Sequence, residues 1–395
     1  MSQALFGTYS RPPLSFTTGE GVWLNGSDGR RYLDFGAGIA VSSCGYAHPH
    51  LVAKLQEAAA GVWHTSNLYQ IPESDRLAER LVEATFADRV FFCNSGAEAN
   101  EAAIKTARRY HYVNGERQRY RIITMEGAFH GRTLGTIAAG GNAKYLEGFG
   151  KPLDGFDQVE FGNIEAARTA IGPETAAIMV EPVQGEAGIR PVDVGALRGL
   201  RALADAHALL LIFDEVQTGA GRLGTLFAYQ SVGVTPDILA AAKGIGGGFP
   251  LGACLATEDA AKGMTPGTHG TTYGGNALAG AVGNAVLDVL LEPGFLDDVR
   301  RKGAFAKQAF AAVVDTHPTV FERIRGEGLM LGVKCNMPLP KVVNAVRDAG
   351  LITIPAGDNV MRLLPPLVAT DEDIQEAARR TDQAATTLEE MAAAA

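Results

Sequence analysis

The chain has 395 residues, 46% of them hydrophobic and 20% charged, with a formal net charge of −9. That length accommodates two domains, while the acidic balance argues against wholesale binding to nucleic acid or to an anionic membrane, and no apolar run is long enough to span a bilayer. Four cysteines, Cys44, Cys93, Cys254 and Cys335, lie scattered without CxxC spacing, which points away from a metal cage or a disulfide framework and toward a reducing cytoplasm.

Residues 1–20 read as irregular, and they lack the charged-then-apolar order of a signal peptide. Val22–Leu24 and Arg31–Phe35 flank Asn25-Gly26-Ser27-Asp28-Gly29 and read as a hairpin. Helical patterns fill 50–61 and 74–86. Arg89–Cys93 is a short apolar run, and a helix is expected from Gly96 to His111. Further apolar runs are Arg121–Met125, Ala176–Val180, Leu209–Phe213, Ile238–Ala242 and Ala253–Ala256. Short strand-like runs alternating with helices predict a mostly parallel sheet in a three-layer α/β/α sandwich. After residue 275 the pattern changes. Helices at 276–291 and 295–315 precede strands near 321–334 and 351–364, with further helices near 340–349 and 371–390. That region reads as a smaller α+β domain. No internal repeat is evident, and the terminal Met-Ala-Ala-Ala-Ala is expected to fray.

Several strand ends carry chemistry. Asn94-Ser95-Gly96-Ala97-Glu98-Ala99-Asn100 follows a strand and opens a helix, so small residues there let a phosphate approach free amides. A capped helix with a glycine for close packing explains the same residues equally well. In Ala128-Phe129-His130-Gly131-Arg132-Thr133, Phe129 can stack on a flat ring and Arg132 can fork onto a carboxylate. A core phenylalanine and a surface arginine are the plainer alternatives, and His130 fits a structural role as well as a catalytic one. Glu186 follows the strand end Val180-Glu181-Pro182-Val183-Gln184-Gly185, where the ligand crevice of an open α/β sheet lies, or it is a solvated loop acid.

Asp214 ends the run Leu-Leu-Leu-Ile-Phe, and a buried acid needs a partner. Lys243 ends Ile-Leu-Ala-Ala-Ala, where partial desolvation lowers its pKa and sharpens its nucleophilicity. The two could simply pair with each other. That does not explain the Gly-Ile-Gly-Gly-Gly after Lys243, which leaves room for a bulky group beside the amine. Together they read as the two poles of a pyridoxal phosphate site. The lysine bonds the aldehyde, and the aspartate keeps the ring nitrogen protonated.

With these residues assembled, the chain resembles the class III (ω-amino acid) aminotransferases of the fold-type I pyridoxal phosphate family. The likeness runs from Tyr32-Leu33-Asp34-Phe35 to Arg362-Leu363-Leu364-Pro365-Pro366 and includes, in order, NSGAEANE, FHGRT, EPVQGE, FDEVQTG, AAKGIGGGFP and HGTTYGGN. The resemblance implies a seven-stranded sheet, an N-terminal segment 1–50 that joins the small domain, a large domain 51–275 and a small domain 276–395. It also implies residue roles. Lys243 holds the cofactor aldehyde, Asp214 the ring nitrogen and Gln217 the ring hydroxyl. Val216 and Phe129 cover the ring faces, and Ser95, Gly96 and Ala97 bind the phosphate. Thr272 reaches the phosphate of a neighbouring subunit, which makes the expected assembly a homodimer with shared sites. Arg132 holds the carboxylate far from the reacting carbon, Arg362 the near one, and Glu186 masks Arg362 when no near carboxylate is present. No metal is implied. The implied reaction passes an ω-amine, acetylornithine first, to 2-oxoglutarate and forms glutamate. Succinylornithine, the succinylated diaminopimelate precursor, ornithine and 4-aminobutyrate stay open as amine donors, although ornithine enzymes of the family often carry Tyr where Ile39 stands. An aminomutase would not need the Arg362 and Glu186 pair, and a non-catalytic binding protein would not need both Lys243 and Asp214.

Overall fold

A computed structural model describes residues 4–394. The chain opens with β1 (Phe16–Glu20), β2 (Trp23–Gly26) and β3 (Arg31–Asp34), paired antiparallel. The hairpin around Asn25–Gly29 is therefore present as β2 and β3. β1 lies in the stretch expected to be irregular. It is exposed along nearly its whole length, so no apolar alternation marks it in the sequence.

Next come β4 (Arg89–Cys93), β5 (Arg121–Met125), β6 (Phe156–Val159), β7 (Thr175–Val180), the two-stranded ribbon of β8 (Val183–Gln184) and β9 (Arg190–Pro191), then β10 (Leu210–Asp214), β11 (Ile238–Ala241) and β12 (Gly252–Ala256). Among the described residues these build a seven-stranded sheet in the order β4-β12-β11-β10-β7-β5-β6. β12 is antiparallel to both its neighbours, and the other pairs are parallel. β7, β10, β11 and β12 are buried at every residue, as sheets covered on both faces require. Side chains alternate between two cores. Ala177, Met179, Leu210 and Ile212 join the core under the helix Gly96–Val113. Ile178, Val180, Leu211 and Phe213 join the opposite core, with Leu77, Leu197, Leu200 and Val282 from other helices. Each such large aliphatic or aromatic side chain contributes about 1.5–3 kcal/mol on burial. The sequence reading lacked β6. That strand lies at the sheet edge and only Val159 in it is buried, so its pattern is weak.

The C-terminal part has β13 (Phe321–Glu327), β14 (Met330–Cys335), β15 (Leu351–Ile352), β16 (Ile354–Ala356) and β17 (Val360–Leu363). β13-β14-β17-β16 form one antiparallel sheet, packed with the helices Phe295–Thr316, Leu339–Asp348 and Asp371–Ala393. The last helix runs through the alanines expected to fray, as far as Ala393; Ala395 lies outside the described residues. β15 pairs parallel with β3, Leu351 against Leu33, which joins the N-terminal strands to this C-terminal part. Between β3 and the first long helix, Ala37, Gly38, Ile39 and Ala40 all take left-handed backbone angles. For a non-glycine residue this costs roughly 1–2 kcal/mol. Buried Asp34 holds the turn by accepting from the amides of Gly36 and Ala37 and from the Tyr46 hydroxyl. Among the described residues no single helix is long and apolar enough to cross a membrane.

Candidate active site

Because β4, β5, β7, β10 and β11 run in the same direction, their following loops emerge on one edge of the sheet. They enclose a cavity of about 400 Å³. Ser95, Gly96 and Ala97 line it from the loop after β4, and Phe129 and Arg132 from the loop after β5. Asp214 lines it from the end of β10, Val216 and Gln217 from the loop that follows, and Lys243 from the turn after β11. Nine residues separated by up to 148 positions thus converge (243 − 95 = 148). Arg362 stands just behind, donating to both Glu186 and Gln217, while Thr272 is exposed on a loop away from this lining. Ile39 is half-exposed and does not line the cavity, whereas Val41 does.

Asp214 is 3% exposed. Its Oδ2 accepts from Asn100 Nδ2 at 2.8 Å and faces His130 Nδ1 at 2.7 Å, and its Oδ1 accepts from the Val216 amide at 3.0 Å. An ionised carboxylate only accepts, so the hydrogen of the His130 contact sits on Nδ1. Asn100, His130 and the Val216 amide fix the carboxylate at the cavity floor, and none of its hydrogen bonds goes to Lys243. The alternative of a simple Asp214–Lys243 pair is therefore not what the fold contains.

Lys243 has a left-handed backbone, φ 50°, at the start of the turn Lys243–Gly246. Among the described residues its ammonium makes no hydrogen bond or ion pair. Burial lowers its pKa, with the carboxylates of Glu186 and Asp214 pulling the other way. The glycines after it correct one expectation. A Cβ on Gly244 would lie 2.5 Å from Ser43 Oγ, one on Gly246 3.1 Å from Leu251 Cβ and one on Gly247 2.8 Å from Val286 Cγ2. These three let backbone pack closely. Only Gly248 lines the cavity with open space where a Cβ would stand.

Ser95 caps the helix Gly96–Val113, its hydroxyl accepting from the Glu98 amide. The first amides of that helix, Gly96 and Ala97, have no intrahelical acceptor. A Cβ on Gly96 would come within 2.7 Å of Val216 Cγ1, so only glycine lets the helix end close against Val216.

The two arginines differ sharply. Arg362 on β17 is 1% exposed. Its Nη1 donates to Glu186 Oε1 at 2.5 Å and to Gln217 Oε1 at 3.3 Å, and its Nη2 donates to the Pro355 carbonyl at 3.0 Å. Arg132 is exposed at the cavity rim and has no carboxylate partner among the described residues. Its guanidinium lies 4.1 Å over the Tyr145 ring and 5.4 Å from the Phe129 ring centroid.

Two contributors, Asn100 and Glu181, were not singled out in the sequence, and a third was left open. Asn100 lies four residues after Gly96, on the same helix face, and this spacing could have found it. His130 was left open between two roles, and its 2.7 Å contact with Asp214 places it in the site. Glu181 directly follows β7, much as Asp214 ends β10, so the same strand-end logic applied to it. It is 6% exposed and lines the cavity, and its Oε2 accepts from the Phe129 amide at 3.0 Å. Burial, and then the nearby Asp214 charge, push its carboxyl well above the usual range. Neighbouring Glu215 points away from the cavity into amides of Ala228 and Tyr229, and burial raises it to about 7.

Known proteins resemble this chain over nearly its whole length. The family model for class-III aminotransferases matches residues 7–385. An acetylornithine aminotransferase of Mesorhizobium japonicum is 65% identical over 377 residues, covering 95% of this chain and 94% of that protein. Among solved structures, the N-acetylornithine aminotransferase of Stenotrophomonas maltophilia K279a superposes with a TM-score of 0.84 at 37% identity, covering 96% of this chain and 97% of its own. An ornithine aminotransferase of Toxoplasma gondii, described with partial occupancy of PLP at its active site, superposes with a TM-score of 0.94 at 31% identity, covering 98% and 93%.

Proposed function

The chain belongs to the class-III aminotransferase family, and from that premise we propose that it passes the terminal amine of N2-acetyl-L-ornithine to 2-oxoglutarate, forming N-acetyl-L-glutamate 5-semialdehyde and L-glutamate in arginine biosynthesis. The family uses pyridoxal 5′-phosphate, and the donor set of the cavity fits that group. Asp214 suits a pyridinium nitrogen, Lys243 an aldehyde, and Ser95 with the amides of Gly96 and Ala97 a phosphate. Phe129 and Val216 offer apolar walls for the ring, and Gln217 a polar group for its hydroxyl. The glycine at 96, obligatory against Val216, supports the same reading. Bound there, the cofactor supplies an electron sink for the bond that breaks at the reacting carbon.

The remaining work belongs to the chain's own residues. Lys243 accepts and returns the proton at the reacting carbon, and its lowered pKa supports that use. Asn100 and His130 orient the Asp214 carboxylate. Arg132 holds the carboxylate that lies far from the reacting carbon in either substrate. Arg362 takes the α-carboxylate of glutamate, and Glu186 occupies it while acetylornithine reacts. The observation that carries this reading is the Arg362–Glu186 pair behind Lys243, set against an Arg132 that no carboxylate occupies. A buried guanidinium left unpaired costs several kcal/mol, so a mask is physically required when the substrate brings no near carboxylate.

We further propose a homodimer in which Thr272 completes the partner's phosphate site. Exposed Trp63, Leu68, Tyr69 and Tyr273 support this. They lie on two loops tied together by Asn67, whose amide donates to the carbonyls of Thr271 and Gly274. The division into 1–50, 51–275 and 276–395 is proposed alongside it, supported by the separate sheets. So is a cytoplasmic location, supported by four buried free thiols.

The test is kcat/KM for a panel of acylated and free ω-amines with 2-oxoglutarate as acceptor. N2-acetylornithine should lead the panel. A higher value for ornithine or 4-aminobutyrate overturns the substrate assignment. Light scattering at assay concentration should give at least a dimer, and an active monomer removes the shared site.

A further inference from the structure

A second cavity, also of about 400 Å³, adjoins the first, and Phe129 lines both. Asn142, Tyr145, Glu186 and Ala356 form part of its wall. The Phe129 and Tyr145 rings meet edge to face, 5.8 Å between centroids and 81° between planes. Arg132 stacks over both rings, so its guanidinium sits at the seam between the cavities. Among the described residues Arg132 has no ion pair and the Tyr145 hydroxyl has no hydrogen bond. A long exposed side chain without a polar partner samples many rotamers, and the stacked ring is what restricts this one. The Glu186 charge facing the second cavity is neutralised by Arg362, and Lys144 adds a cation to the same wall.

In an N2-acylated amino acid, one carbon carries both the carboxylate and the acylamide. A carboxylate on Arg132 therefore brings the acylamide to the same seam, next to a free hydroxyl and an open space. We propose that the second cavity is the acyl subsite, which takes the acylamide group, and that Tyr145 is the positioning residue that holds Arg132 at its rim. The inference rests on the acylornithine reading above. Glutamate carries no acyl group and leaves this cavity unused, so the two substrates separate the roles.

The experiment is equilibrium titration of the holoenzyme with two unreactive ligands. N2-acetyl-L-norvaline has the carboxylate and acylamide but no terminal amine. Glutarate has two carboxylates and no acyl group. Ala356→Phe, which fills the second cavity, should weaken acetylnorvaline by about tenfold or more and leave glutarate within about twofold. Tyr145→Leu should weaken both by about 2- to 30-fold, because both need Arg132. Tyr145→Phe keeps the ring, so it should restore glutarate binding and weaken acetylnorvaline alone. Equal effects of Ala356→Phe on both ligands, or none on acetylnorvaline, overturn the subsite. Unchanged glutarate binding in Tyr145→Leu overturns the positioning role. Should Ala356→Phe fail to fold, the Tyr145→Phe result decides the subsite by itself. A wild-type holoenzyme that does not turn over N2-acetylornithine sinks the parent reading; turnover with unaffected variants sinks only the subsite.

Discussion

Arg362 and Arg132 face one reaction from opposite settings. Arg362 is buried on a strand, bound by Glu186, Gln217 and the Pro355 carbonyl. Arg132 stands in a loop, exposed, resting on two aromatic rings. A buried cation can change partners but cannot be left alone, so its contact is an exchange and discriminates between substrates. An exposed cation is solvated between turnovers at little cost, so its contact adds affinity for any carboxylate that arrives. Under the proposed function, this difference makes discrimination the expected role of the first arginine and general hold that of the second.

The largest expected effect removes the chemistry and leaves that comparison in binding alone. Lys243→Ala should lower kcat by at least about 100-fold, the contribution typical of a positioned proton carrier. Ligand affinities should persist, and both arginines can then be probed without turnover. Near-normal kcat in this variant would falsify the role of Lys243. Next in size is Arg362→Ala. Loss of a charge-assisted contact costs about 1.5–3 kcal/mol, or roughly one to two decades in rate. That loss should fall on the glutamate half-reaction and largely spare the acetylornithine half-reaction in single-turnover measurements. Equal losses in both halves would break the comparison. Arg132→Ala should cost about tenfold in both halves, since each substrate places its far carboxylate there. An effect confined to one half would reverse the two assignments. Glu186→Ala should produce the smallest change, raising the kcat/KM of glutamate relative to acetylornithine by about two- to fivefold as Arg362 loses its competing partner. A fall in that ratio would mean Glu186 does something other than mask.

The site and the fold were legible in the sequence to different depths. Strand ends were clear because β7, β10 and β11 are buried on both faces and read as unbroken apolar runs, each stopping at a polar residue. β1 and β6 escaped because one side of each faces water, which leaves too few apolar positions to mark a strand.

The sequence by itself determined the alternating α/β order and the mostly parallel sheet, and it marked Lys243 and Asp214, which the fold brings to one cavity. Local pattern and strand-end position suffice for these, since each depends on neighbours a few residues away. Tertiary structure alone decided who partners whom. Asn100 and His130 reach Asp214 from 114 and 84 residues off. It also decided that three glycines after Lys243 serve close packing rather than open space. Such pairings depend on which strand ends the sheet order brings side by side and on which charges burial forces to find a partner, and no stretch of local sequence carries either.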